Sequence, residues 1–184
     1  MSGNFAAAVL FLVNTLLSLY GMVVLLRFLL QLVRADFYNP LSQFVVRATN
    51  PLLRPLRRVV PGAWGIDFAA LLLTYLVALV TVAALVAIAG ASLPAPLLLG
   101  YALLKCILLL IHLYFFTILV QVILSWVSPG WSPVASMLHS LNEPLLRPFR
   151  RILPSLGGLD LSPLFAIILL QFVSFLIPLP GMLR

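Results

Sequence analysis

Apolar residues run through this chain in blocks far longer than strands require. Residues 5–33, 68–91 and 97–127 are each dominated by leucine, valine, alanine, isoleucine and phenylalanine. A helix needs about 20 such residues to cross the ~30 Å hydrocarbon core of a bilayer. Residues 161–177 form a shorter block that closes at Pro178-Leu179-Pro180-Gly181. The pattern predicts four membrane-spanning helices. Between the second and third, Ser92-Leu93-Pro94-Ala95-Pro96 reads as a tight turn, because paired prolines disfavour continued helix. The other two gaps are polar, basic and punctuated by proline. Each reads as two short helices near the bilayer surface. Asn39 caps a helix from Pro40 and Asn50 caps a second from Pro51; Ser132 with Pro133, and Glu143 with Pro144, take the same roles further on. Proline suits a first helical turn, whose amides lack partners, and an acid there meets the positive end of the helix dipole. Pro55 and Pro148 shorten or kink the second helix of each pair, and Pro61-Gly62 and Pro154 end it.

The two basic gaps are copies. Pro51 to Pro61 returns as Pro144 to Pro154 with eight of eleven residues identical, at an offset of 93 residues. The same offset carries Pro40 onto Pro133, Gly65 onto Gly158 and Asp67 onto Asp160 without a gap. The chain therefore divides into residues 1–91 and 92–184, each a hairpin of two spans joined by a basic segment. The expected fold class is an all-α membrane protein of four transmembrane helices, arranged as two tandem hairpin repeats in parallel orientation. Two spans separate the basic segments, which puts both on one face of the membrane. The copies are then related by an axis along the membrane normal.

Composition sharpens this. The chain is 64% apolar and 8% charged, where soluble domains average about 45–50% and about 25%. The net charge of +7 lies beside membrane segments, so lipid phosphate is a nearer counterion than nucleic acid. The basic gaps hold Arg34, Arg47, Arg54, Arg57, Arg58, Arg147, Arg150 and Arg151, against Arg184 and Lys105 toward the other face. Positive loops stay cytoplasmic, which predicts both basic segments inside and both termini outside. The opening residues have no positive n-region or small-residue cleavage site, and the first apolar run reads as a retained span. Cys106 is the single cysteine, so no disulfide framework is expected.

Arg54, Arg57 and Arg58 share one side of a helix, as do Arg147, Arg150 and Arg151. Leu52, Leu53, Leu56, Val59 and Val60, with Leu145, Leu146, Phe149, Ile152 and Leu153, supply an apolar face that would dip into the acyl boundary. Arginine binds phosphate oxygens in a bidentate fork. Plain positive-inside anchoring explains a few arginines, but not the same Arg-Pro-x-Arg-Arg spacing twice; docking of anionic lipid, or of an acidic protein partner, is preferred. Asp67 and Asp160 open the second and fourth spans and read as helix caps paired to their own arginines. A proton or cation site is the sharper alternative. Tyr114, Thr117, Gln121, Ser125 and Ser128 form one polar stripe, matched by Asp67, Thr74 and Thr81, by Asp160, Gln171 and Ser174, and by Asn14, Ser18 and Gly21. Such stripes glue helices together; lining a pore is the alternative reading. Lys105 and Arg27 are expected to snorkel to the two interfaces, and His112 to pack by a hydrogen bond. Two histidines, four acids and one cysteine give no metal site, and no cofactor fingerprint or nucleophile motif appears. No enzyme activity and no cofactor are expected.

Pro-Leu-Leu-Arg-Pro-x-Arg-Arg-x-x-Pro followed by Gly-x-Asp, with Gly157-Gly158-Leu159-Asp160-Leu161-Ser162-Pro163 in the second copy, resembles the YggT family over essentially the whole chain. The first copy departs from the pattern, with Ala63-Trp64-Gly65 for the double glycine and Phe68-Ala69-Ala70 for Leu-Ser-Pro. By this pattern the second copy is the more complete site. The resemblance implies a bacterial inner-membrane protein with plastid relatives, associated with envelope or osmotic-stress tolerance, division, nucleoid distribution and cytochrome assembly. It carries over no catalytic residues. The expected function is a non-enzymatic membrane scaffold or assembly factor. The alternative is a channel or transporter subunit, which would need a homo-oligomer because four spans make a thin bundle. A membrane-tethered nucleic-acid binder lacks stacking aromatics or a groove-reading helix.

Overall fold

The computed structural model describes residues 3–36, 39–127, 132–152 and 160–184, and these are helical apart from turns and one isolated β-bridge between Ala63 and Ile66. The helices are α1 (Gly3–Leu32), α2 (Pro40–Val59), α3 (Phe68–Ile88), α4 (Ala95–Val127), α5 (Pro133–Ile152) and α6 (Ser162–Leu176), with a closing 3-10 turn at Gly181–Leu183. Three of them, α1, α3 and α4, are long and apolar enough to cross a membrane. The fourth block becomes α6, whose 15 residues rise only about 22 Å, less than the ~30 Å hydrocarbon core.

The long helices pack in the order α1, α3, α4, with α6 against α4. They meet closely at Gly21, where an added Cβ would lie 3.0 Å from the Leu109 side chain and 3.5 Å from Val77. Alanine keeps the α3 side shallow, since Ala69, Ala70 and Ala78 are fully buried. Small residues at such contacts let helix backbones approach where lipid supplies no hydrophobic drive. Large apolar side chains such as Phe11, Phe116 and Phe175 face outward on the same helices, as hydrocarbon surroundings allow. Gly90, at φ +68°, ends α3 in a left-handed cap in which the Ala91 amide donates to the Val86 carbonyl.

Each basic helix rests on a pair of these: α2 on α1 and α3, α5 on α4 and α6. Their starts, Pro40 and Pro133, stand 93 residues apart. Here two short helices were expected in each gap, and one continuous 20-residue helix is found. Asn39 does cap α2, accepting the Ser42 amide at 2.8 Å. Asn50 and Glu143 lie inside their helices and cap nothing. The reason is tertiary. Ser42, Val45, Thr49 and Leu53 of α2 are buried in a stripe against the bundle. Met137, Leu138, Leu141, Asn142 and Leu146 do the same for α5. Pro51, Pro55, Pro144 and Pro148 all fall on the exposed side. An internal proline costs about 3 kcal/mol, and burial along the opposite stripe offsets it. The carbonyls that lose their amide partner belong to the exposed Arg47, Pro51 and Pro144 and the half-buried Ser140, each four residues back.

The expected apolar face divides accordingly. Leu53 and Leu146, equivalent positions of the two copies, are wholly buried. Leu56 and Val60, and likewise Leu145 and Phe149, lean on the same clusters. Leu52, Val59 and Ile152 stay exposed, joined on α2 by Phe44. Leu153, Pro154, Ser128 and the glycines at 157 and 158 lie outside the described residues.

Candidate functional site

Helix geometry separates the three arginines of each triad. At about 100° per residue, the middle one turns about 60–100° away from its neighbours and back toward the bundle. In the first copy Arg57 reaches Asp67, which is nearly buried, and also contacts Gln31 Oε1 at 3.4 Å. Asp67 meanwhile accepts the Ala70 amide at 3.2 Å, capping α3. In the second copy Arg150 donates from Nε to Asp160 at 2.9 Å and from Nη1 to Glu143. Asp160 accepts the Ser162 amide at 2.9 Å. Partial burial alone would raise the Asp160 carboxyl, but bonds from the Ser162 amide and hydroxyl and from Arg150 outweigh it, and the net direction is down. It stays ionised through the neutral range, which keeps the Arg150 pair intact.

The outer arginines are left over. Arg54, Arg58, Arg147 and Arg151 are exposed and enter no ion pair among the described residues, and Arg47 joins them on α2. Arg47 and Arg54, two turns apart, flank a shallow basin of about 300 Å³ with Asn50 and Pro51 on its floor. The second copy has Ser140 in place of Arg47 and Glu143 in place of Asn50, so the basic face is fuller on α2. Both surfaces can bind a dispersed anion such as a phosphate by charge and by bidentate hydrogen bonds.

Arg27 was expected to snorkel; it is instead 7% exposed and points into the α1–α2 joint. Its Nη1 donates to the Val46 carbonyl at 3.0 Å, Thr49 Oγ1 at 2.7 Å and Asn50 Oδ1 at 2.8 Å. The equivalent joint of the second copy uses Asn142, 93 residues beyond Thr49 and equally buried. Asn142 accepts from Thr117 Oγ1 and donates to Gln121 Oε1, both at 2.8 Å. Two members of the polar stripe are thus gathered at one buried amide. The others are not: Ser125 bonds back to the Val122 carbonyl, Tyr114 offers its carbonyl to Thr117, and Gln171 pairs with Ser174 on α6. Thr74 and Thr81 likewise close on their own helix.

Lys105 also departs from expectation. It is 2% exposed and turned inward, donating to Asn14 Oδ1 and the Leu183 carbonyl, each at 2.8 Å. Its partners come from residues 14 and 183, so nothing in the local pattern around Lys105 announces this. The joints at Thr49 and Asn142 were open to detection, because the 93-residue offset aligns these two polar residues on largely apolar stripes.

A family model described as CCB3/YggT matches residues 6–88 and 100–180. The chain belongs to the CCB3/YggT family. It is 49% identical over 173 residues to an uncharacterized protein of Pseudomonas aeruginosa, covering 92% of this chain and 88% of that one. It is 46% identical over 165 residues to the uncharacterized protein YggT of Escherichia coli K12, covering 89% and 86%. A plant relative, the chloroplastic YlmG homolog protein 2 of Arabidopsis thaliana, is 32% identical over 92 residues, half of this chain and 37% of that protein. No solved structure matches.

Proposed function

We propose that this chain is a non-enzymatic scaffold of the bacterial inner membrane that gathers anionic lipid at the cytoplasmic face. In this reading α1, α3, α4 and α6 span as two hairpins of like orientation, with the termini periplasmic. Helices α2 and α5 lie along the cytoplasmic surface. The observation that carries it is the division within each triad: one arginine locks the helix to a carboxylate, while two stay exposed, at matching positions in both copies. On α2 an exposed apolar flank of Phe44, Leu52 and Val59 lies beside that basic flank. That pairing suits a helix resting between acyl chains and phosphates. Trp64 adds an anchor. It sits 92% exposed at the tip of the α2–α3 turn, with φ at +53°, and interfacial tryptophan is typical of membrane boundaries. Envelope stress tolerance, division or membrane-complex assembly are the settings in which such a scaffold would act.

The pore alternative draws little from the stripe of α4, because Thr117 and Gln121 close on Asn142 and Ser125 on its own backbone.

The protein in neutral detergent should take up phosphatidylglycerol in preference to phosphatidylcholine. The preference should shrink as salt rises from about 0.1 M to about 1 M and the screening length falls from about 10 Å to about 3 Å. Equal uptake of the two lipids at low salt would contradict the proposal.

A further inference from the structure

At the other end of the bundle from the arginine helices, Asn14 and Ser18 of α1, Lys105 and His112 of α4, and Arg184 line a cavity of about 190 Å³. Its charged side chains are cationic, and the main-chain oxygen of Arg184 accepts from Asn14 Nδ2 at 2.5 Å beside them. No carboxylate side chain lines it, and Lys105 forms no ion pair among the described residues. The Lys105 ammonium is buried and has two neutral acceptors, Asn14 Oδ1 and the Leu183 carbonyl. An ammonium carries three donors, so one remains. Arg184 brings a second cation to the wall, its guanidinium held among the described residues by the Phe175, Ile177 and Leu179 carbonyls and the face of the Phe175 ring. Seven residues beyond Lys105, and so about two turns along the same face, the half-buried His112 lines the same space. Lys105 stands ten residues into α4, about 15 Å from its start. A buried ammonium held by neutral acceptors alone is costly to desolvate, and ionisable side chains at membrane depth mark functional sites.

We propose that this cavity binds one small monovalent anion of the halide class, with Lys105 supplying the charge and its remaining N–H, and His112 supplying a polar contact. The apolar part of the wall, Leu108 and Leu109 among it, sets the class. A phosphate carries more than one charge near neutrality, about 1.5–2 when esterified, and would lose more hydration there than a halide. The site has no counterpart in the first copy, since the positions 93 residues before Lys105 and His112 are Leu12 and Leu19.

Bromide-81 NMR line broadening on the full chain in neutral detergent tests this. The wild type should broaden the bromide line in a saturable manner that excess chloride reverses. A variant carrying glutamine at Arg54, Arg58, Arg147 and Arg151 should broaden it equally, because those groups sit at the far surface. Lys105→Met should lose the saturable part. Lys105→Gln, which keeps hydrogen bonding without charge, should lose it too, and it decides the matter if Lys105→Met changes the helical circular dichroism. His112→Leu, which leaves the Lys105 contacts in place, should weaken bromide binding severalfold. No saturable broadening in the wild type, or broadening that survives both Lys105 variants, would overturn the proposal.

Discussion

Replacing Arg54, Arg58, Arg147 and Arg151 together by glutamine is expected to weaken binding of anionic lipid about thirtyfold at each basic helix. Two exposed guanidiniums per helix act at the phosphates, and each basic residue near an anionic surface is worth about 1 kcal/mol. Two give about 2 kcal/mol, and about 1.4 kcal/mol is a factor of ten. Folding should be spared, because none of the four enters an ion pair among the described residues. Titration with a fluorescent cardiolipin in neutral detergent reads the loss, and an unchanged dissociation constant would count against lipid docking. The choice of four matters. Including Arg57 and Arg150 would strip Asp67 and Asp160 of their partners, and a loss of binding could then follow from loosened helices.

The second large effect is expected at Arg27. Arg27→Leu should loosen α2 from α1 by about 3 kcal/mol, since a hydrogen bond from a charged donor is worth about 1.5–3 kcal/mol and several acceptors are left behind at once. The contributions do not add in full, because one nitrogen serves all three. Amide hydrogen exchange across residues 45–57 should rise about a hundredfold, following the opening free energy, while α3 and α4 keep their protection. Thr117→Val, which removes one neutral contact to Asn142, should loosen α5 by only about 1 kcal/mol. Unchanged exchange in Arg27→Leu would mean that the apolar stripe alone holds α2. The surface account and the joint are linked: a helix that detaches no longer presents Arg54 and Arg58 at a fixed height.

The long helices were legible because hydrophobic run length is a property of the sequence alone. α1, α3 and α4 start and stop within three residues of the apolar runs. The basic segments were legible as amphipathic but not as single helices. Proline reads locally as a stop, and only the burial of Leu53 and Leu146 on the far side reveals why the helix continues through it. Spacing groups Arg57 and Arg150 with their neighbours, although an aspartate stands ten residues on in each copy, Asp67 and Asp160, as a signal of their separate use. Sequence places Lys105 and Arg27 at the interfaces because snorkelling depends on depth, which sequence supplies. Their inward turn depends on acceptors from other helices, which sequence does not order in space.

The measurement that bears most directly on all of this is the sidedness of α2 and α5. Arg58→Cys and Arg151→Cys, placed singly in a Cys106→Ser background, can be challenged with a membrane-impermeant maleimide. Both should be protected in spheroplasts and labelled in inverted vesicles. Labelling of the two from opposite sides of the bilayer would contradict the parallel hairpins and the shared lipid-docking face.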